Sequence, residues 1–222
     1  MIINMRRLII DDMPAPIGNF AGRNNPMLTQ TAENYFESDE AFDALYPVNV
    51  RALSELHWSP LSVARAAANY LGRDDAARII DIGAGVGKFC IAGSHYARGR
   101  FTGVEQNQNF VRIGNKAINK LGCRRVELIQ GNFMQHDMSQ YTGIYFYNSF
   151  HENIADATVY SGVEKSVELY ELYTSHLNKQ LKAMPAGTLL ATYWLSVPEV
   201  PTCYRLCEAH FDDLLKFWKK ED

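Results

Sequence analysis

The chain has 222 residues, 47% of them hydrophobic, and a formal net charge of −3. That is enough apolar material for one well-packed domain with a small appendage. No global positive field draws it to nucleic acid or anionic lipid, and its longest apolar runs are too short to cross a bilayer. The start, MIINMRRLIIDDMPAP, lacks a continuous apolar h-region and a small-residue cleavage site, so a cytoplasmic protein is expected. Cys90, Cys123, Cys203 and Cys207 form no Cys-x-x-Cys pair and find no matching histidines. They read as reduced thiols, with no metal site expected.

Residues 1–30 carry Pro14, Pro16, Gly18, Gly22 and Pro26 among polar residues and read as an irregular arm. Between Ser38 and His57 the pattern turns helical, with Phe42, Leu45, Tyr46, Val50, Leu53 and Leu56 as its apolar positions. HWSPLSVARAAANYLG follows: Ser59 suits an N-cap, Pro60 the first helical position, and Gly72 closes the helix.

From Arg78 strands and helices alternate. Strands are predicted at 78–82, 100–105, 125–130, 143–148 and 188–195, with helices at 86–97, 107–121 and 160–184. That alternation implies parallel strands with right-handed crossovers, an α/β doubly wound sheet. The last helix aligns Val163, Val167, Tyr170, Tyr173, Leu177, Leu181 and Met184 as a core stripe. The tail, VPEVPTCYRLCEAHFDDLLKFWKK, reads as a terminal strand pair.

The sharpest signal is IIDIGAGVGKFC at 79–90, a strand ending in Asp81 followed by Gly83, Gly85 and Gly87. Ligands in such sheets sit beyond the carboxyl ends of the strands, and glycines there let backbone approach them. Glu105 ends the next strand, about twenty residues on, where a carboxylate accepts hydrogen bonds from both ribose hydroxyls. The dinucleotide fingerprint fails, because its sixth position is Lys88. An acidic residue beside the loop suits a cofactor with a cationic amino group better than a pyrophosphate.

On DIGAGVG, GVEQ and the strand-end YNSF, the chain resembles the class I S-adenosylmethionine-dependent methyltransferases over roughly residues 55–195. The resemblance implies a mostly parallel seven-stranded sheet with helices on both faces and an antiparallel C-terminal pair. It divides the chain into an N-terminal arm with helices, 1–57, acting as a lid, and the S-adenosylmethionine-binding domain, 58–222. It implies that Gly83, Ala84, Gly85 and Gly87 pass under the methionine and ribose, with Asp81 near the amino acid end, Glu105 on the ribose and Gln106 beside the adenine. Asn132 of GNF stands where the family often has an acid, and its side-chain oxygen accepts the same adenine bond without the charge; Phe133 packs on the adenine face. HWSP resembles the Thr-Pro segment before the first motif of several nitrogen methyltransferases, which places Trp58 and Ser59 over the cofactor.

Methyl transfer from a sulfonium needs an aligned acceptor and management of one proton. Asn148, Ser149 and Phe150 resemble the (Asn/Asp)-Pro-Pro-(Tyr/Phe) motif of amino-group methyltransferases, with serine in place of proline. That resemblance makes Asn148 the group that orients the acceptor and Phe150 a wall of the site; His151 and Glu152 are candidates to move a proton or contact a cationic substrate. Arg112, Lys116, Lys120 and Arg124 form a basic stripe read as a solvated face. The expected function is methyl transfer to nitrogen, with oxygen the second choice, on a protein or small-molecule acceptor. A non-catalytic cofactor binder and a nucleic-acid methyltransferase stay open as alternatives.

Overall fold

A computed structural model describes residues 33–147, 167–194 and 200–222. A 3₁₀ turn (Asn34–Phe36) and helices α1 (Asp39–Asp43), α2 (Val48–Arg51), α3 (Ser54–His57) and α4 (Leu61–Leu71) precede the sheet. There follow β1 (Arg78–Ile82), α5 (Lys88–Tyr96), β2 (Arg100–Glu105), α6 (Gln108–Leu121), β3 (Val126–Gln130), a second 3₁₀ turn (Phe133–Gln135) and β4 (Gly143–Phe146). Helix α7 (Val167–Ala183) leads to β5 (Leu189–Tyr193), β6 (Tyr204–His210) and β7 (Leu215–Lys220).

The seven strands lie in the order β3-β2-β1-β4-β5-β7-β6. The first five run parallel, while β7 is antiparallel to both β5 and β6. Strand order therefore reverses between β1 and β4, the point at which sheets of this kind bind ligands beyond the carboxyl ends of their strands. This is the expected α/β doubly wound sheet with its antiparallel C-terminal pair. None of the described helices is long and apolar enough to span a membrane.

Two apolar layers flank the sheet. Helices α4, α5 and α6 cover the face that carries Ile79, Phe101, Leu128 and Tyr145. Ala64, Ala67 and Ala68 let α4 lie close to the strands. The second 3₁₀ turn and α7 cover the other face, with Ile80, Ile82, Ile144 and Phe146. Phe42, Tyr46, Val50 and Trp58 belong to the first layer, so the chain from α1 onward contributes to the central core.

Several local expectations change. The helical stretch between Ser38 and His57 is divided at Pro47 into short helices, α1 before it and α2 and α3 after it. Helix α4 starts at Leu61 with Pro60 in the cap position, and Ser59 makes no cap; its hydroxyl is taken by the buried Tyr145 Oη at 2.6 Å. The Leu61 N–H donates instead to Asp39 Oδ1, 3.0 Å away. In α7, Tyr173, Leu177 and Leu181 are buried as the stripe predicts, with Met184 beyond them, but Val167 is exposed; Val163 lies outside the described residues. Strand β5 ends at Tyr193, because Trp194 turns into the left-handed region at φ 55°.

Candidate functional site

The 83–87 loop leaves β1 and hooks back onto β2, with the Gly83 and Ala84 N–H groups both donating to Val104 O at 2.9 and 3.1 Å. Gly85 and Gly87 are required for different reasons. Both have positive φ, 55° and 78°. A Cβ on Gly87 would stand 2.9 Å from Leu128 Cδ1, so helix–sheet packing needs that glycine. A Cβ on Gly85 would meet nothing within 4 Å. The backbone at Gly85 is therefore left bare on that side.

Glu105, at the end of β2, flanks the loop. Its Oε2 accepts from Gly85 N at 2.9 Å and its Oε1 from Asn107 N at 2.7 Å. Those bonds fix the carboxylate beside the loop. Asp81 lies beneath the loop, in register with Tyr145 on β4. Burial pushes its carboxyl up to about 8, partly opposed by the Cys90 thiol 3.8 Å away and reinforced by the charge of Glu105. A buried carboxyl in that state stabilises a cation placed against it by ionising.

The N-terminal segment is joined to this loop. Lys88, the first residue of α5, is only 4% exposed and lies 2.7 Å from both Asp39 Oδ1 and Asp43 Oδ1. Its ammonium also sits 5.6 Å from the Phe42 ring centroid and 5.7 Å from that of Trp58. Trp58 is buried edge-on against Tyr46, 4.9 Å between centroids. Ser59 follows it on Tyr145, which stacks on Phe89 at 3.8 Å.

At the end of β3, Asn132 Oδ1 accepts from Met134 N at 3.0 Å and its Nδ2 donates to Tyr173 Oη at 3.1 Å. Its amide orientation is thus set by a backbone donor. Phe133 is buried against Tyr173 and His176 of α7. Gln106 is exposed next to Glu105, its carbonyl reached by Gln130 Nε2 at 3.5 Å. Asn148, Phe150, His151 and Glu152 lie outside the described residues.

The structure brings Asp81, the glycines, Ala84, Glu105, Trp58 and Ser59 around one end of β1. The basic stripe lies on the exposed face of α6 and just beyond it. Arg112 and Lys116 line a groove on α6 with Asn109, Asn115 and Gln130, and Lys120 lies over the Tyr35 ring at 4.9 Å. Sequence reading missed the partners of Lys88, noted only as a break in the fingerprint. Asp39 and Asp43 are four apart on a helix, a visible pattern, but nothing local names their partner. It also missed Tyr145 as the partner of Ser59.

Residues 26–157 match the family described as Protein-L-isoaspartate(D-aspartate) O-methyltransferase (PCMT). The chain belongs to this family. It is an S-adenosylmethionine-dependent methyltransferase of class I, Rossmann-like fold, and S-adenosylmethionine is its cofactor. In fold the methyltransferase is similar to an RNA methyltransferase from Salinibacter ruber in complex with S-adenosyl-L-homocysteine: 18% identity, TM-score 0.50, covering 73% of this chain and 90% of that one. It is also similar to TrmN from Thermus thermophilus, at 13% identity and TM-score 0.55, covering 73% of this chain and 49% of that one. A mutant of MtNAS in complex with S-adenosylmethionine matches at 15% identity and TM-score 0.52, over 89% of this chain and 73% of that one. No curated protein matches the chain.

Proposed function

We propose that this methyltransferase holds its cofactor between the 83–87 loop, Asp81 and Glu105, and transfers the methyl group to a nitrogen of a protein or small-molecule acceptor. The observation that carries the cofactor assignment is the Glu105 carboxylate, bound to Gly85 N beside the open space over that glycine. Glu105 accepts from the ribose hydroxyls, the bare backbone of Gly83, Ala84, Gly85 and Gly87 underlies the ribose and methionine, and Asp81 meets the cationic amino end. Trp58 and Ser59 support the loop from behind. Gln106, Asn132 and Phe133 border the adenine.

Bound S-adenosylmethionine supplies a methyl group already activated on a sulfonium. The protein must hold the acceptor in line, exclude water and take up one proton. Asn148 orients the acceptor nitrogen through its amide oxygen, Phe150 walls the site, and His151 and Glu152 serve the proton. Nitrogen is favoured by the likeness of Asn148, Ser149 and Phe150 to the (Asn/Asp)-Pro-Pro-(Tyr/Phe) motif of amino-group methyltransferases.

Calorimetric titration of S-adenosylmethionine into wild type and Glu105→Ala tests the cofactor site: binding in the first and its collapse in the second are expected. Methyl transfer to oxygen is the second reading, favoured by the family match over residues 26–157. Mass spectrometry of acceptors before and after mild alkali separates the two. A methyl ester is lost under those conditions and an N-methyl group survives.

A further inference from the structure

Strand side chains alternate, so Asp81 points to the same face of β1 as Ile79, the face covered by α5. It is only 5% exposed there, and little around it can receive a charge. From β4, its register neighbour Tyr145 gives its hydroxyl to Ser59. From β2, its register neighbour Gly103 offers no side chain, and Glu105 brings a like charge. From α5, Lys88 is committed to Asp39 and Asp43. Among the described residues one polar side chain reaches the carboxyl: Cys90, whose thiol donates to Oδ2 at 3.8 Å. Oδ1 takes no hydrogen bond from the described residues.

Cys90 is the third residue of α5 and fully buried. Burial and the adjacent Asp81 push its thiol well above the usual range, so it keeps its proton. Room for the sulfur comes from β2: a Cβ on Gly103 would stand 3.2 Å from Cys90 Sγ and 2.6 Å from Ala84 Cβ. A thiol suits this place in both states of its neighbour. Against a neutral carboxyl it packs as a small hydrophobe. Against an ionised one it is a donor, which a buried carboxylate needs.

We propose that Cys90 is a positioning residue for the cofactor, its thiol holding Oδ2 of Asp81 and leaving Oδ1 to the cationic amino end of S-adenosylmethionine. This rests on the cofactor reading and adds to it the group that receives Asp81 when the carboxyl ionises against the ligand. It holds for a nitrogen or an oxygen acceptor alike, because it concerns the methyl donor alone. The ligand's amino group supplies the counter-charge that Lys88, turned to Asp39 and Asp43, does not.

The test titrates S-adenosylhomocysteine, which keeps the amino acid end, into wild type, Cys90→Ala and Cys90→Ser by calorimetry between about pH 6 and pH 8. Cys90→Ala should bind about three- to tenfold more weakly at neutral pH, as for loss of an ordinary hydrogen bond. Its affinity should also climb with pH later than that of wild type, because the ionised carboxyl has lost its donor. Cys90→Ser keeps a donor on the same Cβ and should retain the wild-type pH profile. In an Asp81→Asn background, adding Cys90→Ala should cost no further affinity. A wild-type pH profile in Cys90→Ala, equal losses in the alanine and serine variants, or an undiminished further loss in Asp81→Asn overturns the proposal and leaves the thiol as packing. Absence of heat from wild type overturns the cofactor reading as well.

Discussion

Lys88 Nζ lies 2.7 Å from Asp43 Oδ1, with side chains only 5% and 9% exposed. The pair joins the helix that follows the cofactor loop to the first described helix of the chain, with Asp39 as a second anchor. A buried ion pair adds little over apolar packing, but removing one partner strands the other. Lys88→Met strands the buried Asp43 carboxylate and should therefore destabilise the protein by about 3–5 kcal/mol, a drop in melting temperature of roughly 6–20 °C for a chain of this size. Asp43→Ala, which leaves Lys88 its bond to Asp39, should cost less. Thermal denaturation of both variants decides the order.

Asp81 gives the free protein a distinct pH dependence. Its folded-state value is raised from 3.8 to about 8 by burial, so folding favours the protonated form. That contribution is fully present below the unfolded value and is lost as pH rises through the folded one. Urea midpoints should fall relative to Asp81→Asn between pH 5 and pH 8. At about 1.4 kcal/mol per pKa unit, the variant should be more stable than wild type at pH 8 by roughly 3–5 kcal/mol. A cationic cofactor beside Asp81 reverses the preference, so binding of S-adenosylhomocysteine at pH 7 should release a proton. Calorimetry in buffers of different ionisation enthalpy measures it.

Gly85 and Gly87 should separate binding from folding. Both require left-handed backbone, which costs an alanine about 1 kcal/mol. Gly87→Ala also meets Leu128 at 2.9 Å and should lose further stability. Gly85→Ala has open space around the new methyl, so its melting point should fall less while cofactor affinity falls more. Paired calorimetry and melting curves would falsify the cofactor contact at Gly85 if Gly85→Ala bound as wild type does.

Ser59 and Tyr145 share one buried hydrogen bond of 2.6 Å. Ser59→Ala and Tyr145→Phe each leave a hydroxyl stranded, at about 1–3 kcal/mol. The double variant removes both hydroxyls, so its loss should be clearly less than the sum of the two singles. Denaturant titration of the four proteins completes the cycle. An N-cap role for Ser59 would instead give additive losses.

Most of the element order was legible locally. Apolar runs marked β1, β2 and β4, Pro60 and Gly72 bracketed α4, and the alternation of strands with helical stretches implied a doubly wound sheet. Asp81, the glycine loop and Glu105 were legible too, because the turn, the bare backbone and the strand-end carboxylate are each written within a few residues.

What lay beyond the sequence was the choice of partner. Ser59, Pro60 and Leu61 look like a self-sufficient helix start, yet the structure gives the serine to Tyr145, 86 residues on, and caps Leu61 with Asp39. Lys88 looked like a fingerprint defect until Asp39 and Asp43, 49 and 45 residues before it, were brought against it. Trp194 continued a strand pattern, and only the turn at Leu214 shows why the strand stops before it. Local propensity and periodicity act over one or two turns of chain and determine the elements. Burial of charge and hydroxyl groups is satisfied by whichever side chains the packed sheet makes neighbours, and only the tertiary structure decides that.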